Sequence, residues 1–489
     1  MFAPTVCQEF FRSESISKGK QSVGWRIHYI SFIFLPVKIM ALNSSTQLLT
    51  IDKLLPPEIM SEIFILSTVM HDLAHFDFEW DISTPSRLSL TLVCKSWCSI
   101  ARSTPALWTT LRIYIPYRNM PQLIQDLQQS ISRSGQLPLS IQVHHHPSVL
   151  LEPLDPLVEK LIHLVKSCWH RWENLDITPT PELLPLIRNS ISGPSILKTL
   201  ILSPAHAYNF RKQPFNIGAS FPSPTYVSLS VNTIWPLEIC WDNVTRFTAR
   251  HMGVGQALEI LRLPPQLREF TLFELWRENN TDLPSSPILH SRLETLHVYR
   301  HLNDISYQLM KSITLPSLKH FSYNGRHLST SSVIDFLDRS GCSLETFSLR
   351  DADIDDDDII NLLCAMPHLE TLTLESRYIT DILLNMLADT TGVSTHFLNG
   401  QKFLPKLRSL ICIGRPIFSW LWLYKAFGRH GINESSAFDG ASFDQRPLRS
   451  FRVDIDDSNY PEPDVIAELK RLREEGYDID ITKSALVTI

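Results

Sequence analysis

The chain has 489 residues, 44% of them hydrophobic and 20% charged, with a formal net charge of −6. That length exceeds what one hydrophobic core serves, so several domains or a repeating architecture are required. The acidic balance lacks the basic footprint that nucleic-acid binders carry, and no apolar run reaches the ~20 residues of a membrane span.

In chain order, residues 1–50 read as an extension without fixed structure. The most apolar stretch there, Ile27 to Val37, is interrupted by His28 and Pro36. It follows Lys18, Lys20 and Arg26, but no small-residue cleavage pattern comes after it, so it reads as extension rather than secretion signal. The eight cysteines contain no C-x-x-C spacing. They read as mostly core residues of a protein in a reducing compartment, cytosol or nucleus. Cys94 and Cys98 in particular fit as small buried residues of one helix.

Residues 51–115 read as a small helical module. Pro57 suits a first helical position and Glu58 the positive end of the helix dipole. Ile59, Ile63 and Leu66 follow at helical spacing as one apolar stripe. A polar and aromatic insertion, His71 to Thr84, precedes a second helix from about Pro85 to Arg102. The apolar positions of that helix are Leu88, Leu92, Val93, Trp97 and Ile100. Thr104-Pro105 then opens a short third element with Leu107 and Trp108.

The order of Leu54, Pro56, Glu58-Ile59, Ile63-Phe64, Val93-Cys94-Lys95, Trp97 and Leu107-Trp108 resembles the F-box pattern, with a longer insertion than a minimal F-box has. The resemblance implies a surface for the Skp adaptor of Skp–cullin–F-box ubiquitin ligases and, through it, a cullin. The matching positions are Leu54, Pro56, Ile59, Ile63, Val93 and Trp97. Leu54 and Pro56, ahead of the helix, are the better placed for contact, whereas Trp97 divides evenly between contact and core.

From 116 to 456 a phrase of the form L-x-x-L-x-L recurs. It is Leu197-Lys-Thr-Leu-Ile-Leu, then begins again at Leu267, Leu293, Leu318, Leu344, Leu369, Leu407 and Leu448, with weaker copies at Trp172 and Val244. From Leu267 the intervals are 26, 25, 26 and 25, then 38 and 41. The first four resemble leucine-rich repeats, whose period is about 20–29 residues. The resemblance implies an α/β solenoid, a horseshoe of parallel strands with outer helices. The position where an asparagine often follows the strand is Ala352 or Arg377 here.

Alternation turns the leucines inward and their neighbours to the concave face. The outward rows are Thr295, His297, Tyr299; His320, Ser322, Asn324; Thr346, Ser348, Arg350; and Thr371, Thr373, Glu375. His297, Tyr299, His320, Asn324, Ser348, Arg350, Thr373 and Glu375 are the candidate contacts for a protein target, whose identity the sequence does not encode. Residues 457–489 read as a C-terminal helix and tail.

Two clusters invite a metal and lack the pattern for one. A calcium loop opening at Asp351 needs glycine at position 356 and glutamate at 362, where the chain has Asp356 and Leu362. The aspartates serve instead to cap the helix that follows. His144 to His146, read as a loop after a strand, lack helical metal-ligand spacing. No nucleotide-binding, zinc-protease or hydrolase motif occurs. The expectation is therefore a non-enzymatic substrate receptor of a ubiquitin ligase, without cofactor, metal, membrane or nucleic-acid partner. The alternative is a leucine-rich-repeat scaffold whose helical module serves only as a cap.

Overall fold

A computed structural model describes residues 55–73, 86–115, 119–145, 155–178, 183–187, 193–203, 221–230, 237–276, 284–301, 305–388, 403–414, 418–427, 448–455, 461 and 463–483. The extension over 1–50 and Leu54 lie outside these residues. The chain divides into two compact units between Trp108 and Thr109.

The first unit holds α1 (Pro57–Leu73), α2 (Ser86–Val93), α3 (Lys95–Ser103) and a 3-10 turn, Pro105–Trp108. The single second helix expected over Pro85 to Arg102 is broken. Cys94 is extended, at φ −159° and ψ 171°, and its Sγ accepts from the Trp97 amide at 3.4 Å. That makes Cys94 the N-cap of α3, and it is exposed, while Cys98 is half-buried. Neither is the core residue the sequence suggested, and Cys364 is exposed as well. The core consists of Met60, Phe64, Ile100, Ala101, Leu107 and Trp108. Two of its buried polar groups find partners inside the unit, as burial favours: Trp108 Nε1 donates to the Ala101 carbonyl at 2.8 Å, and Thr104 to that of Ile100 at 2.7 Å.

The second unit is built on parallel strands. They are β1 (Thr110–Ile115), β2 (Leu139–His145), β3 (Trp172–Ile177), β4 (Thr199–Leu202), β5 (Tyr226–Ser230), β6 (Arg246–Arg250), β7 (Glu269–Phe273) and β8 (Ile288–Leu289). There follow β9 (Thr295–His301), β10 (Ile313–Thr314), β11 (His320–Gly325), β12 (Thr346–Arg350), β13 (Thr371–Glu375), β14 (Ser409–Ile413), β15 (Ser450–Ile455) and β16 (Asp478–Lys483). Fourteen of these form one sheet in chain order, and the short β8 and β10 pair with each other. Among the helices between strands are α4 (Met120–Arg133), α5 (Pro156–Ser167), α6 (Leu184–Ile187), α7 (Val254–Leu261), α8 (Ser306–Ser312), α9 (Thr330–Ser340) and α10 (Asp356–Cys364). The last three are α11 (Asp381–Ala388), α12 (Trp420–Ala426) and α13 (Pro463–Glu474).

The recurring phrase explains the sheet. Its leading leucine is buried in every copy from Leu197 to Leu448, and the next two leucine positions point from the strand into the same core. The residue after the leading leucine donates its amide to its counterpart one strand back. Lys319 does so to Glu294, Glu345 to Lys319, Glu370 to Glu345 and Arg408 to Glu370, all within 2.8 to 2.9 Å. Their side chains add ion pairs along that edge: Arg268–Glu294 at 3.5 Å, Lys319–Glu345 at 3.2 Å and Arg408–Glu370 at 3.9 Å. These pairs are exposed and contribute about 0–1 kcal/mol each. The buried residues in register stack, as Phe247 on Phe270 with ring centroids 5.8 Å apart and Phe321 on Phe347 at 5.7 Å.

The sheet passes both ends of the expected array. β1 lies in residues assigned to the helical module, because Leu111, Ile113 and Ile115 alternate into the core as a strand would. β16 lies in the residues read as a tail and pairs with β15 from Ser450–Asp478 onward. Inside the sheet unit, the buried Arg171 donates to the Leu137 carbonyl at 2.8 Å and Ser134 Oγ at 2.6 Å. It thereby satisfies acceptors just past the end of α4.

Candidate functional site

Two surfaces stand out, one in each unit. On the helical unit the stripe Ile59, Ile63 and Leu66 belongs to the outer face of α1. The inner face is carried by Met60 and Phe64, each one residue further along. Ile59 is 48% exposed, Ile63 40% and Leu66 61%. On α2, Leu88 is also exposed, and Leu92 reaches 83%. Val93 at its end is exposed, as is Pro56 before α1. Trp97 is half-buried, with its ring 4.9 Å from that of Phe64. It belongs to the core's edge, and Leu54 lies outside the described residues. Exposed aliphatic side chains at this density on two packed helices mark a surface meant to be covered. The sequence shows Leu88 and Leu92 only as apolar positions of a helix. Their helical spacing is the same for an inner and an outer face, so periodicity could not tell the two apart.

On the sheet unit the alternation places His297, Tyr299, His320, Asn324, Ser348, Thr373 and Glu375 half-buried on the face opposite the leucines, with Arg350 exposed. Strand register puts Arg250, Phe273, Tyr299, Asn324 and Arg350 in one row across β6, β7, β9, β11 and β12. The Arg250 guanidinium sits 4.5 Å from the Phe273 ring, and Phe273 lies 5.1 Å from Tyr299. Tyr299 stacks on His297 and shares a 3.2 Å hydrogen bond with its Nδ1. Burial pushes the Tyr299 phenol up, against the opposing effects of Ser322 and Arg350. Burial also pushes His297 down, with Glu269 opposing and His320 adding to the shift. Both rings are therefore uncharged near neutrality.

A cleft of about 820 Å³ opens at the carboxyl ends of these strands, lined by Glu274, Trp276, Arg300, Arg326, Asp351 and Arg377 among others. A smaller one of about 280 Å³ adjoins, lined by Phe273, Tyr299, Arg300, Asn324, Ser348 and Arg350 among others. The seventh residue after the phrase's first position adopts left-handed backbone at His251, Glu274, Arg300 and Asp351, with φ of 49°, 52°, 58° and 57°. Such conformations cost a non-glycine residue about 1 kcal/mol or more. Three of these residues, Glu274, Arg300 and Asp351, line the cleft. The sequence signal for this row is broken, because the same position is Gly325 after Leu318 and Ser376 after Leu369.

The aspartate run behaves as a cap. Asp355 accepts from the Asp358 amide at 2.8 Å and begins α10. His144 and His145 lie within β2 rather than in a loop, and His146 is outside the described residues. His144 faces Thr178 at 3.0 Å and Asp176 at 3.5 Å, and burial pushes the Asp176 carboxyl up against the pull of His144. Among the described residues, no group of three or more His, Cys, Asp or Glu is placed to hold a metal ion, and no helix is long and apolar enough to cross a membrane.

A family model described as F-box-like matches residues 53–114, spanning the helical unit and β1. No curated protein matches the chain. The N-terminal region is thus F-box-like, joined to a large parallel sheet with intervening helices.

Proposed function

We propose that the protein is the substrate-recognition subunit of a Skp–cullin–F-box ubiquitin ligase. The F-box-like unit docks on a Skp-type adaptor and through it a cullin. The parallel-sheet unit acts as a leucine-rich-repeat solenoid that holds a protein target. On this reading the chain is not an enzyme, ligation belongs to other subunits, and the protein works in the cytoplasm or nucleus. The observation that carries it is the F-box-like unit's outer apolar face. Ile59, Ile63, Leu88, Leu92 and Val93 are exposed and lie outside the unit's core among the described residues.

Titrating the full chain with a Skp-type adaptor tests this. An Ile59→Ala, Ile63→Ala double variant is expected to bind about 30-fold more weakly or worse, since interface anchors each carry ~2 kcal/mol or more. Its melting midpoint should stay near that of the unaltered protein. Trp97→Ala, by contrast, is expected to lower the midpoint together with binding, because that ring packs on Phe64. Unaltered protein that fails to bind any Skp-type adaptor would remove the ligase role and leave a scaffold. Pro56 and Val93, both exposed, are the next positions to alter.

A further inference from the structure

Arg300, Arg326 and Arg350 form no ion pair among the described residues, and all three line the two clefts at the carboxyl ends of the strands. Three of the acids around them have nearer partners. Glu274 is held by His251 at 2.7 Å, while Asp351 and Glu375 are held by Arg377 at 3.7 and 2.8 Å. Asp353 is the remaining acid on the lining. Counted over the lining of both clefts, four arginines (Arg300, Arg326, Arg350 and Arg377) face three acids (Glu274, Asp351 and Asp353), an excess of one positive charge in a chain of net charge −6.

The backbone presents one of these groups deliberately. β9 pairs with β11 at Tyr299 and again at His301, skipping Arg300, whose φ is 58°. A bulge of this kind re-aims the side chain it frees. Beside it stand the uncharged Tyr299 ring and Phe273, 5.1 Å apart.

Spacing selects the ligand. Neighbouring strands lie about 4.8 Å apart, so guanidinium groups from β9, the turn after β11, and β12 spread over roughly 10 Å. Same-face side chains of an extended segment repeat about every 6.7 Å, so three span roughly 13 Å, a difference of about 3 Å that long arginine side chains can cover by splaying. That arrangement matches separate carboxylates along a strand-like peptide better than one phosphoryl group drawing all three arginines. Building on the reading of this face as the target surface, we propose that the cleft binds an extended acidic segment of a protein partner. Its alternate carboxylates pair with Arg300, Arg326 and Arg350, and an aromatic or apolar side chain rests against Phe273 and Tyr299.

The test titrates the full chain by fluorescence anisotropy with short degenerate peptide pools. One pool fixes glutamate at alternate positions, and matched pools place glutamine, lysine or phosphoserine there. The glutamate pool is expected to bind at least tenfold more tightly than the glutamine pool and to weaken as salt is raised. An Arg300→Gln, Arg326→Gln, Arg350→Gln variant should fall to the glutamine level with an unchanged melting curve. Arg408→Gln, Arg449→Gln, at the opposite ends of more distant strands, should keep the preference. Equal binding of the glutamate and glutamine pools, or a preference that survives the triple variant, would overturn the proposal. So would a phosphoserine pool binding tenfold more tightly than the glutamate pool. The same preparations are titrated with the Skp-type adaptor. Adaptor binding without a glutamate preference removes this cleft alone, whereas a glutamate preference without adaptor binding removes the ligase role alone.

Discussion

Leu372 and Thr373 sit side by side in β13, one buried with no exposed surface and the other half-buried on the opposite face. Leu372→Ala is expected to cost ~2–5 kcal/mol, because neighbouring strands cannot close the resulting cavity. Thr373→Ala should stay within about 0.5 kcal/mol. Chemical denaturation of both variants checks the alternation, and equal losses would undo it. His297 makes a second prediction at this scale. Burial holds its folded-state pKa below the usual ~6.5, so the folded chain prefers the neutral ring. Stability present above that pH is therefore lost as pH falls through the folded value. The unaltered protein's melting midpoint should drop more steeply below pH ~6.5 than that of His297→Gln. Glu269 works against this shift and His320 with it, so a His320→Gln background should reduce the difference.

Elements were legible where local chemistry and periodicity agreed. The phrases from Leu267 to Leu369 locate five strands, because one spacing specifies both the buried leucines and the return of the chain. β5 and β16 escaped that reading. β5 has Val227 and Leu229 but no leading leucine at the phrase's spacing, and β16 offers Ile479 and Ile481 behind a helix that read as terminal. The break at Cys94 was also hidden, since Val93 and Trp97 keep helical spacing straight across it. The outer face of α1 was visible as a stripe but not as outer, because burial depends on what the helix meets. The cap at Asp355 was the easier case, a short acidic side chain directly before an apolar helix. Asp355→Ala is expected to lower stability by ~0.5–2 kcal/mol, while Asp353→Ala, exposed and outside the cap, should not. Thermal unfolding of the pair checks this.

For the whole sheet unit, the end strand matters beyond its six residues. β16 covers the edge of β15, whose Phe451 and Val453 are buried, and α13 packs there through Leu469 and Leu472. Ending the chain at residue 460 is expected to bare the β15 edge, lower the melting midpoint and promote self-association, which light scattering would detect. A truncated chain as stable and monodisperse as the full one would show that β15 needs no cover.

Strand order equal to chain order has a consequence for how the protein is made and how it changes. Each new strand emerging from a ribosome meets its neighbour already in place, so growth needs no waiting for distant sequence. Nor does any strand of the main sheet need a partner across many intervening ones, so added chain between two strands leaves the rest of the register untouched. The spacings of 38 and 41 residues beside those of 25 and 26 accord with such tolerance. Length in this unit can therefore drift by insertion at low cost, while the face that the strands jointly present keeps its order.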